Sequence, residues 1–348
     1  MAQDFTLACP LPITQRKTVV MGHGSGGRLT AQLIHDVFLP AFDNEYLRRL
    51  DDQAVFDIAG ARIAFTTDSF VVTPIFFPGG DIGKLAVHGT VNDLAMSGAR
   101  PLYLSSAFIM EEGLPLEELG RVTASMAEAA TAAGVTIATG DTKVVNRGSA
   151  DKLFITTSGV GLVPAGVNIS ASNARPGDAI LLSGTIGDHG MAVMSVRENL
   201  EFEGAIVSDT APLNRLVEAM LAAGEIHALR DPTRGGLATS LCEMAEASGV
   251  GVEIEAASIP VSDPVRAACE ILGLDPLFVA NEGKLVAFVA PESADVVLEA
   301  MRRTPEGSGA ALIGHAVAAH ERLVLLKTEI GGTRILDLPF SEQLPRIC

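Results

Sequence analysis

Strand-patterned and helix-patterned segments alternate along almost the whole chain, and the alternation pauses once, at Asn173-Ala174-Arg175-Pro176-Gly177-Asp178. Such alternating segments bury their apolar faces by layering helices on sheets. With 348 residues, the chain has material for two layered units. The Pro-Gly break divides them into an N-terminal unit over residues 17–165 and a C-terminal unit over residues 173–330. Residues 1–16 are an extension, and residues 331–348 a tail.

Residues 17–21 read as extended and lead into Gly22-His23-Gly24-Ser25-Gly26-Gly27. A helix follows with Leu29, Leu33, Ile34, Val37 and Phe38 on one face, stopped by Pro40. Residues 53–58 and 61–68 form a hairpin around Ala59-Gly60. The pattern then predicts a helix over 81–97, a strand over 101–110, an Ala-rich helix over 116–133, and strands over 135–139 and 152–163. Beyond the break, residues 179–183 read as a buried strand opening a second series of helices and strands. Hairpins mixed with helices give an α/β fold in α+β layers, not one purely parallel sheet.

The net charge of -17 argues against nucleic-acid binding. It also means that a bound polyphosphate needs metal ions or backbone N–H groups to offset its charge. No apolar run reaches the length of a membrane span. The four cysteines are Cys9, Cys242, Cys269 and Cys348. None has the C-x-x-C spacing of a zinc or thioredoxin-like site. Cys242 and Cys269 sit in helical patterns as core residues. Thr6-Leu7-Ala8-Cys9 lacks the basic and apolar regions of a lipoprotein signal, so the expected compartment is the cytoplasm.

Four features could carry chemistry. Gly22-x-Gly24-x-x-Gly27 matches the dinucleotide fingerprint in form, but an antiparallel hairpin follows its helix where a second parallel strand is required. Arg28-Leu29 also rules out a Walker A loop. Glycines before a helix still leave N–H groups open to phosphate oxygens, although a plain surface loop would look the same. The second feature is a set of aspartates at predicted strand ends and turns: Asp51-Asp52, Asp68, Asp93, Asp141 and Asp231. One such Asp usually caps a turn or helix, whereas six beside a Gly-rich loop suit a Mg²⁺–nucleotide site. Third, Lys143 and Glu282 are candidate proton handlers, Glu282 in a predicted hairpin turn where a solvent-facing side chain is the ordinary outcome. Fourth, the chain stops on Cys348. From Gly332 an extended tail spans roughly 50 Å at 3.3–3.6 Å per residue, so this thiol is on a leash.

The motifs Asp51-Asp52-Gln53-Ala54-Val55, Thr66-Thr67-Asp68-Ser69-Phe70, Val91-Asn92-Asp93-Leu94-Ala95-Met96-Ser97-Gly98-Ala99-Arg100-Pro101, Gly140-Asp141-Thr142-Lys143 and Arg230-Asp231-Pro232-Thr233-Arg234-Gly235-Gly236 occur in that order. Together they resemble the family of aminoimidazole ribonucleotide synthetase, selenophosphate synthetase and thiamine-monophosphate kinase. The opening Met21-Gly22-His23-Gly24-Ser25-Gly26-Gly27-Arg28 and the closing Pro345-Arg346-Ile347-Cys348 are similar to its carbamoyl dehydratase branch, which serves [NiFe] hydrogenase maturation.

The resemblance implies a two-domain subunit whose N-terminal domains pair in a homodimer around a β-barrel. It implies ATP bound in the interdomain cleft by Gly22, Gly24, Gly26, Gly27, Asn92, Asp93 and Asp141, with Mg²⁺ on Asp52, Asp68, Asp93 and Asp231. Asp52 is preferred to Asp51. It further implies that the carbamoyltransferase HypF loads Cys348 with a carbamoyl group. ATP-dependent dehydration then gives a thiocyanate, and cyanide passes to iron through the HypC–HypD complex. Glu282 and Lys143 fall beside the inserted tail, Glu282 as the base. Apart from the resemblance, the charge on Arg346 is expected to offset the α-carboxylate of Cys348, which disfavours the thiolate, when the tail is docked.

Two other readings remain open. A selenophosphate synthetase would carry a reactive Cys or selenocysteine in the Gly-rich segment, which here holds His23 and Ser25. A metallochaperone would use Cys348 with histidines, yet none of the seven His is paired with a Cys at ligand spacing.

Overall fold

The computed structural model describes residues 18–200, 205–340, 344, 346 and 347. A short turn at Met21–Gly24 leads into helix α1 (Arg28–Leu33), a wider π-type turn (Ile34–Phe38) and α2 (Leu39–Phe42). The predicted stop at Pro40 is not obeyed. Pro40 lies in the first turn of α2, where its missing N–H is tolerated, and the π-type turn before it absorbs the change of register.

The N-terminal domain follows. It contains strands β1 (Ala54–Ile58) and β2 (Ala61–Phe70), the ribbon β3 (Phe76–Phe77) and β4 (Gly80–Asp81), helix α3 (Ile82–Met96), β5 (Arg100–Glu111), α4 (Leu116–Ala133), β6 (Thr136–Val145) and β7 (Leu153–Leu162). Five strands form one sheet in the order β1-β2-β7-β5-β6. Only β5 and β6 run parallel. Within one copy this sheet is open, with β1 and β6 as its edges. The Asp81 carboxylate caps α3, accepting from the Gly83 and Lys84 N–H groups at 2.7 and 3.1 Å. α3 is buried on nearly every side because the sheet covers one flank and the C-terminal domain the other.

The prediction misplaced the end of β6. The strand does not stop at Thr139 but continues through Gly140-Asp141-Thr142-Lys143 to Val145. Its β-branched residues suit a strand, and β5 runs alongside as far as Glu111, opposite Val145.

The C-terminal domain contains β8 (Ala179–Leu182), α5 (Asp188–Arg197), α6 (Asn214–Ala223), β9 (Ile226–Arg230), α7 (Gly236–Ser248), β10 (Gly251–Glu255), α8 (Asp263–Leu272), β11 (Val286–Val289), α9 (Ala294–Arg302), β12 (Ala311–Val317), β13 (Val324–Lys327) and β14 (Thr333–Leu336). Seven strands pair in the order β14-β13-β10-β12-β8-β11-β9. β8 and β11 are buried on both faces: Ile180, Leu182, Val286 and Phe288 pack with α7, and Leu181, Ala287 and Val289 with α6, α9 and the end of α3. That is why both strands read as unbroken apolar runs. A third cluster crosses the domain boundary. It joins Ile82 and Leu85 of α3 to Met191, Val265 and Val279 of the second domain, and it takes in Leu344 and Ile347 of the tail. Among the described residues, no helix is long and apolar enough to cross a membrane.

Candidate active site

β1 pairs with β2 only as far as Phe65, so residues 66–70 form an open edge. A cavity of about 510 Å³ lies there, between this edge, α3, the Gly-rich loop and the segment joining β9 to α7. Asp52 enters it from the start of β1, Asp68 from β2, Asp93 from α3, Asp231 from the end of β9, and Glu282 from the approach to β11. These residues from both domains, up to 230 positions apart in the chain, thus meet in one place.

Confinement of this many carboxylates alters their acidity. Burial pushes Asp52 up to about 6, aided by Glu243 and Asp51 and opposed by Arg230. Asp231 is pushed up to about 8 by burial and by the neighbouring Asp52. Burial and then Asp68, Asp231 and Asp52 hold Asp93 well above the usual carboxylate range. Asp68 is raised by burial, with Arg234 opposing. Glu282 is raised well above its ordinary value by burial, then by Asp231 and Asp209. Burial, aided by their mutual repulsion, thus shifts all five toward the protonated form, and a cation among them would oppose that shift.

The residues fit a hard divalent cation. All the candidate donors are carboxylate oxygens, the class Mg²⁺ prefers, and Glu282 Oε1 is buried with no hydrogen-bond partner. Among the described residues, no three acidic, His or Cys side chains are already disposed as ligands of one ion. A bound cation would therefore draw the aspartates closer and keep part of its water shell, as Mg²⁺ commonly does.

Asp51 and Asp52 both line the cavity, but their contacts differ. The Asp51 carboxylate accepts from the Ser170 hydroxyl at 2.9 Å and the Ala171 N–H at 2.9 Å, tying the first strand to the interdomain connection. Asp52 faces the cavity and pairs with Arg230 at 3.1 Å. Arg230 also pairs with Glu243 of α7 at 3.0 Å. Asp93 Oδ2 accepts from the Thr66 hydroxyl at 2.8 Å, which fixes the carboxylate against β2. Sequence reasoning passed over Arg230, Glu243 and Thr66. The quoted motifs contain Arg230 and Thr66, but only the fold shows which acids they meet.

Several predicted site residues lie elsewhere. Gly24 and Gly26 line the cavity, whereas Gly22 and Gly27 do not. Gly26 has φ +76°, and a Cβ there would stand 2.7 Å from the Arg234 carbonyl oxygen. A Cβ on Gly27 would stand 2.4 Å from the Pro339 carbonyl oxygen, so this glycine serves contact with the tail. Asn92 is a buried bracket, not a cavity residue. Its Oδ1 accepts from the Leu213 N–H at 2.8 Å, and Nδ2 donates to the Ala211 carbonyl at 3.1 Å.

Asp141 and Lys143 sit on β6 at the exposed edge and pair with each other at 2.9 Å. Asp141 stands in register with Ala107, Thr156 and Ser69, three strands from β2, which is roughly 14 Å at 4.7–4.9 Å per strand. Neither residue reaches the cavity of its own copy. Glu282 is not in an exposed hairpin turn. It is buried in an irregular segment between the Pro276–Phe278 turn and β11, with its N–H donating to Asp209 Oδ1 at 3.0 Å.

Cys348 and Cys9 lie outside the described residues. Cys242 and Cys269 are free, and burial pushes their thiols up to about 12 and about 11 respectively, so neither is a ready thiolate. The Arg346 guanidinium, expected beside the terminal carboxylate, bonds Asp151.

The chain matches known families along most of its length. Residues 50–163 match the N-terminal domain, and residues 175–325 the C-terminal domain, of the AIR synthase related proteins. It is 57% identical over 332 residues to the carbamoyl dehydratase HypE of Azotobacter vinelandii, covering 95% of this chain and 97% of that one. The Escherichia coli (strain K12) carbamoyl dehydratase HypE is 50% identical over 335 residues, covering 95% and 99%. Among solved structures, a HypE–HypF complex matches with TM-score 0.84 and 54% identity, over 88% of this chain and 99% of that chain. A HypE in complex with ATP matches with TM-score 0.81 and 51% identity, over 95% of this chain and all 100% of that one. The chain belongs to the AIR synthase related family and, within it, to the HypE carbamoyl dehydratases.

Proposed function

We propose that this protein uses ATP to dehydrate a carbamoyl group carried on the thiol of Cys348, giving a thiocyanate that supplies the cyanide of a [NiFe] hydrogenase iron. The observation that carries this reading is the convergence of Asp52, Asp68, Asp93, Asp231 and Glu282 in one interdomain cavity. The tail docks nearby: Leu344 and Val279 both pack against Gly190, and Val279 is three residues from Glu282.

Transfer of the γ-phosphoryl group of ATP to the carbamoyl oxygen makes that oxygen part of a phosphate leaving group. Loss of phosphate and of both N–H protons leaves C≡N on sulfur, with ADP as the other product. Such a transfer needs positioning and charge neutralisation more than a covalent protein intermediate. Asp52, Asp68, Asp93 and Asp231 would hold Mg²⁺, which neutralises phosphate charge when bound. Gly24 and Gly26 line the cavity wall, and without a Cβ they would let the nucleotide come close to the loop backbone. Glu282 takes a proton from the carbamoyl nitrogen. Its raised pKa makes it a stronger base than an exposed glutamate once ionised, and incoming cations favour that ionisation.

A second copy completes the site in this reading. The face of the N-terminal sheet turned away from α3 exposes Phe65, Tyr103 and Ile109 at 41%, 55% and 39%, and β6 is an unpaired edge. Pairing of two such sheets into a barrel would cover the apolar face and the edge together. It would carry Asp141 and Lys143 of one copy toward the cavity of the other. HypF loads the thiol, and the HypC–HypD complex receives the cyano group.

Intact mass tests the reaction. After incubation with carbamoyl phosphate, ATP and the carbamoyltransferase, the protein should gain a carbamoyl group and then lose one water. Cys348→Ser should show neither change. A metal adduct without nucleotide dependence would favour the metallochaperone instead.

A further inference from the structure

The described part of the tail is gripped at its backbone, carbonyl by carbonyl. Leu344 and Ile347 are 5% and 2% exposed, in the cluster that also holds Val72, Ile75, Phe77, Met191 and Val279. The Arg346 carbonyl accepts from the Thr73 N–H at 3.2 Å and from Arg197 Nη2 at 2.6 Å. Arg197 also donates to the Thr73 carbonyl, so one guanidinium joins the two segments. Arg346 adopts φ +56°, a left-handed turn that a non-glycine residue holds only when its surroundings impose it.

The next carbonyl, that of Ile347, lies 2.6 Å from Nε2 of the fully buried His189. A carbonyl cannot donate, so Nε2 carries the hydrogen and Nδ1 is the acceptor. Its donor is the Ser208 hydroxyl at 2.8 Å. The Ser208 oxygen in turn accepts from the Thr210 N–H at 3.2 Å, which leaves its own proton free to point at the ring. Phe77 meets the imidazole edge-on at 5.4 Å. Every hydrogen bond in this chain has one direction, and burial keeps the ring neutral by lowering its pKa.

The Ile347 carbonyl belongs to the same rigid peptide plane as the amide nitrogen of residue 348. We infer that His189, held in its Nε2–H form by Ser208, is a positioning residue: it latches the tail through the Ile347 carbonyl and orients the carrier thiol for dehydration, while leaving carbamoylation to the released tail. This rests on the reading that Cys348 carries the group. His189 lines no part of the acidic cavity and touches no reacting atom in this arrangement. When the tail leaves, the Nε2–H loses its partner in a buried site, so the latch biases the tail toward docking.

Two measurements test the latch separately from the chemistry. The first needs neither ATP nor carbamoyl phosphate. Alkylation of Cys348 by iodoacetamide, followed on the C-terminal peptide of the full chain, should be slow in the wild type and about tenfold faster in His189→Leu, the effect of losing one hydrogen bond of ordinary strength. His189→Gln, which keeps a donor of similar reach, should stay near the wild-type rate, and Ser208→Ala should fall between. Equal rates in the wild type, Ser208→Ala and His189→Leu would overturn the latch. The second measurement uses protein already carbamoylated. Water loss on adding ATP should slow by about 10²-fold in His189→Leu, the scale of a small misplacement of reacting groups, with ATP binding unchanged and HypF-dependent carbamoylation no slower than in the wild type. Parallel loss of ATP binding would mark a general defect and overturn the positioning role. If the wild type loses no water, the dehydratase reading falls, and the alkylation series still decides the latch. Should His189→Leu not fold, Ser208→Ala against His189→Gln gives the same contrast.

Discussion

Asn92 Nδ2 donates to the main-chain carbonyl of Glu282 at 3.3 Å, across the boundary between the two domains. The residue beside Asp93 thus holds the segment that carries the candidate base. One helix turn of α3 sets the distance between the aspartate cluster and Glu282, so domain packing and site geometry are a single property here.

Asn92→Ala should therefore fail twice. The Leu213 N–H and the Ala211 and Glu282 carbonyls would lose a buried partner. A loss on the order of 2–4 kcal/mol is expected, read by chemical denaturation. Dehydration should fall as well, because Glu282 would no longer be pinned.

The acidic cluster gives the stability a pH dependence of known sign. Asp52 and Asp231, raised to about 6 and about 8, hold protons in the folded protein that the unfolded chain releases near the ordinary carboxylate pKa. The folded state then binds more protons, so this contribution to stability is present at low pH and is lost as pH rises through about 6 and about 8. Without divalent cations the melting temperature should fall across that window, and Mg²⁺ should restore it. Asp231→Asn should remove about 1 kcal/mol of the loss between roughly pH 7 and 9 and weaken the response to Mg²⁺. A cation-free melting curve indifferent to pH would contradict the buried-carboxylate account.

Glu282→Gln preserves shape and removes a charge that the fold already disfavours. The variant should fold, bind ATP and accept the carbamoyl group, yet lose water about 10²–10⁴-fold more slowly. Intact-mass time courses read all three steps. Unchanged water loss would exclude Glu282 as the base.

Lys143 on β6 and Glu282 in the cavity can be tested for membership of the same or different copies. Under the proposed sharing of the site, Lys143→Ala and Glu282→Gln should each be strongly impaired alone, and mixing the two variants should recover part of the activity. Tyr103→Glu, which places a charge on the open apolar face, should shift the protein to monomer by sedimentation and abolish this recovery.

Much of the fold is legible in the residues themselves. The hairpin around Ala59-Gly60, helix α3 behind Asp81 and the buried strand β8 follow from local pattern, because period and caps act over a few residues. Pro40 and the end of β6 were misread because a neighbouring turn or strand overrode the local signal. The aspartates are visible as types, and the family motifs select them. Their roles are not visible: Asp51 and Asp52 are adjacent in sequence, yet one ties the domain connection and the other meets Arg230.

The sequence alone therefore determined the two layered units, the inventory of carboxylates and the presence of Cys348, since these depend on composition, period and order. Tertiary structure decided which carboxylates share a cavity, that Glu282 is buried, and that Asp141 and Lys143 lie on the far side of the sheet. It also decided that His189, bonded to Ser208, meets the Ile347 carbonyl of the tail. Those outcomes depend on contacts between residues far apart in the chain, 158 positions between His189 and Ile347 and 190 between Asn92 and Glu282, and on the low-dielectric interior that turns proximity into shifted acidity.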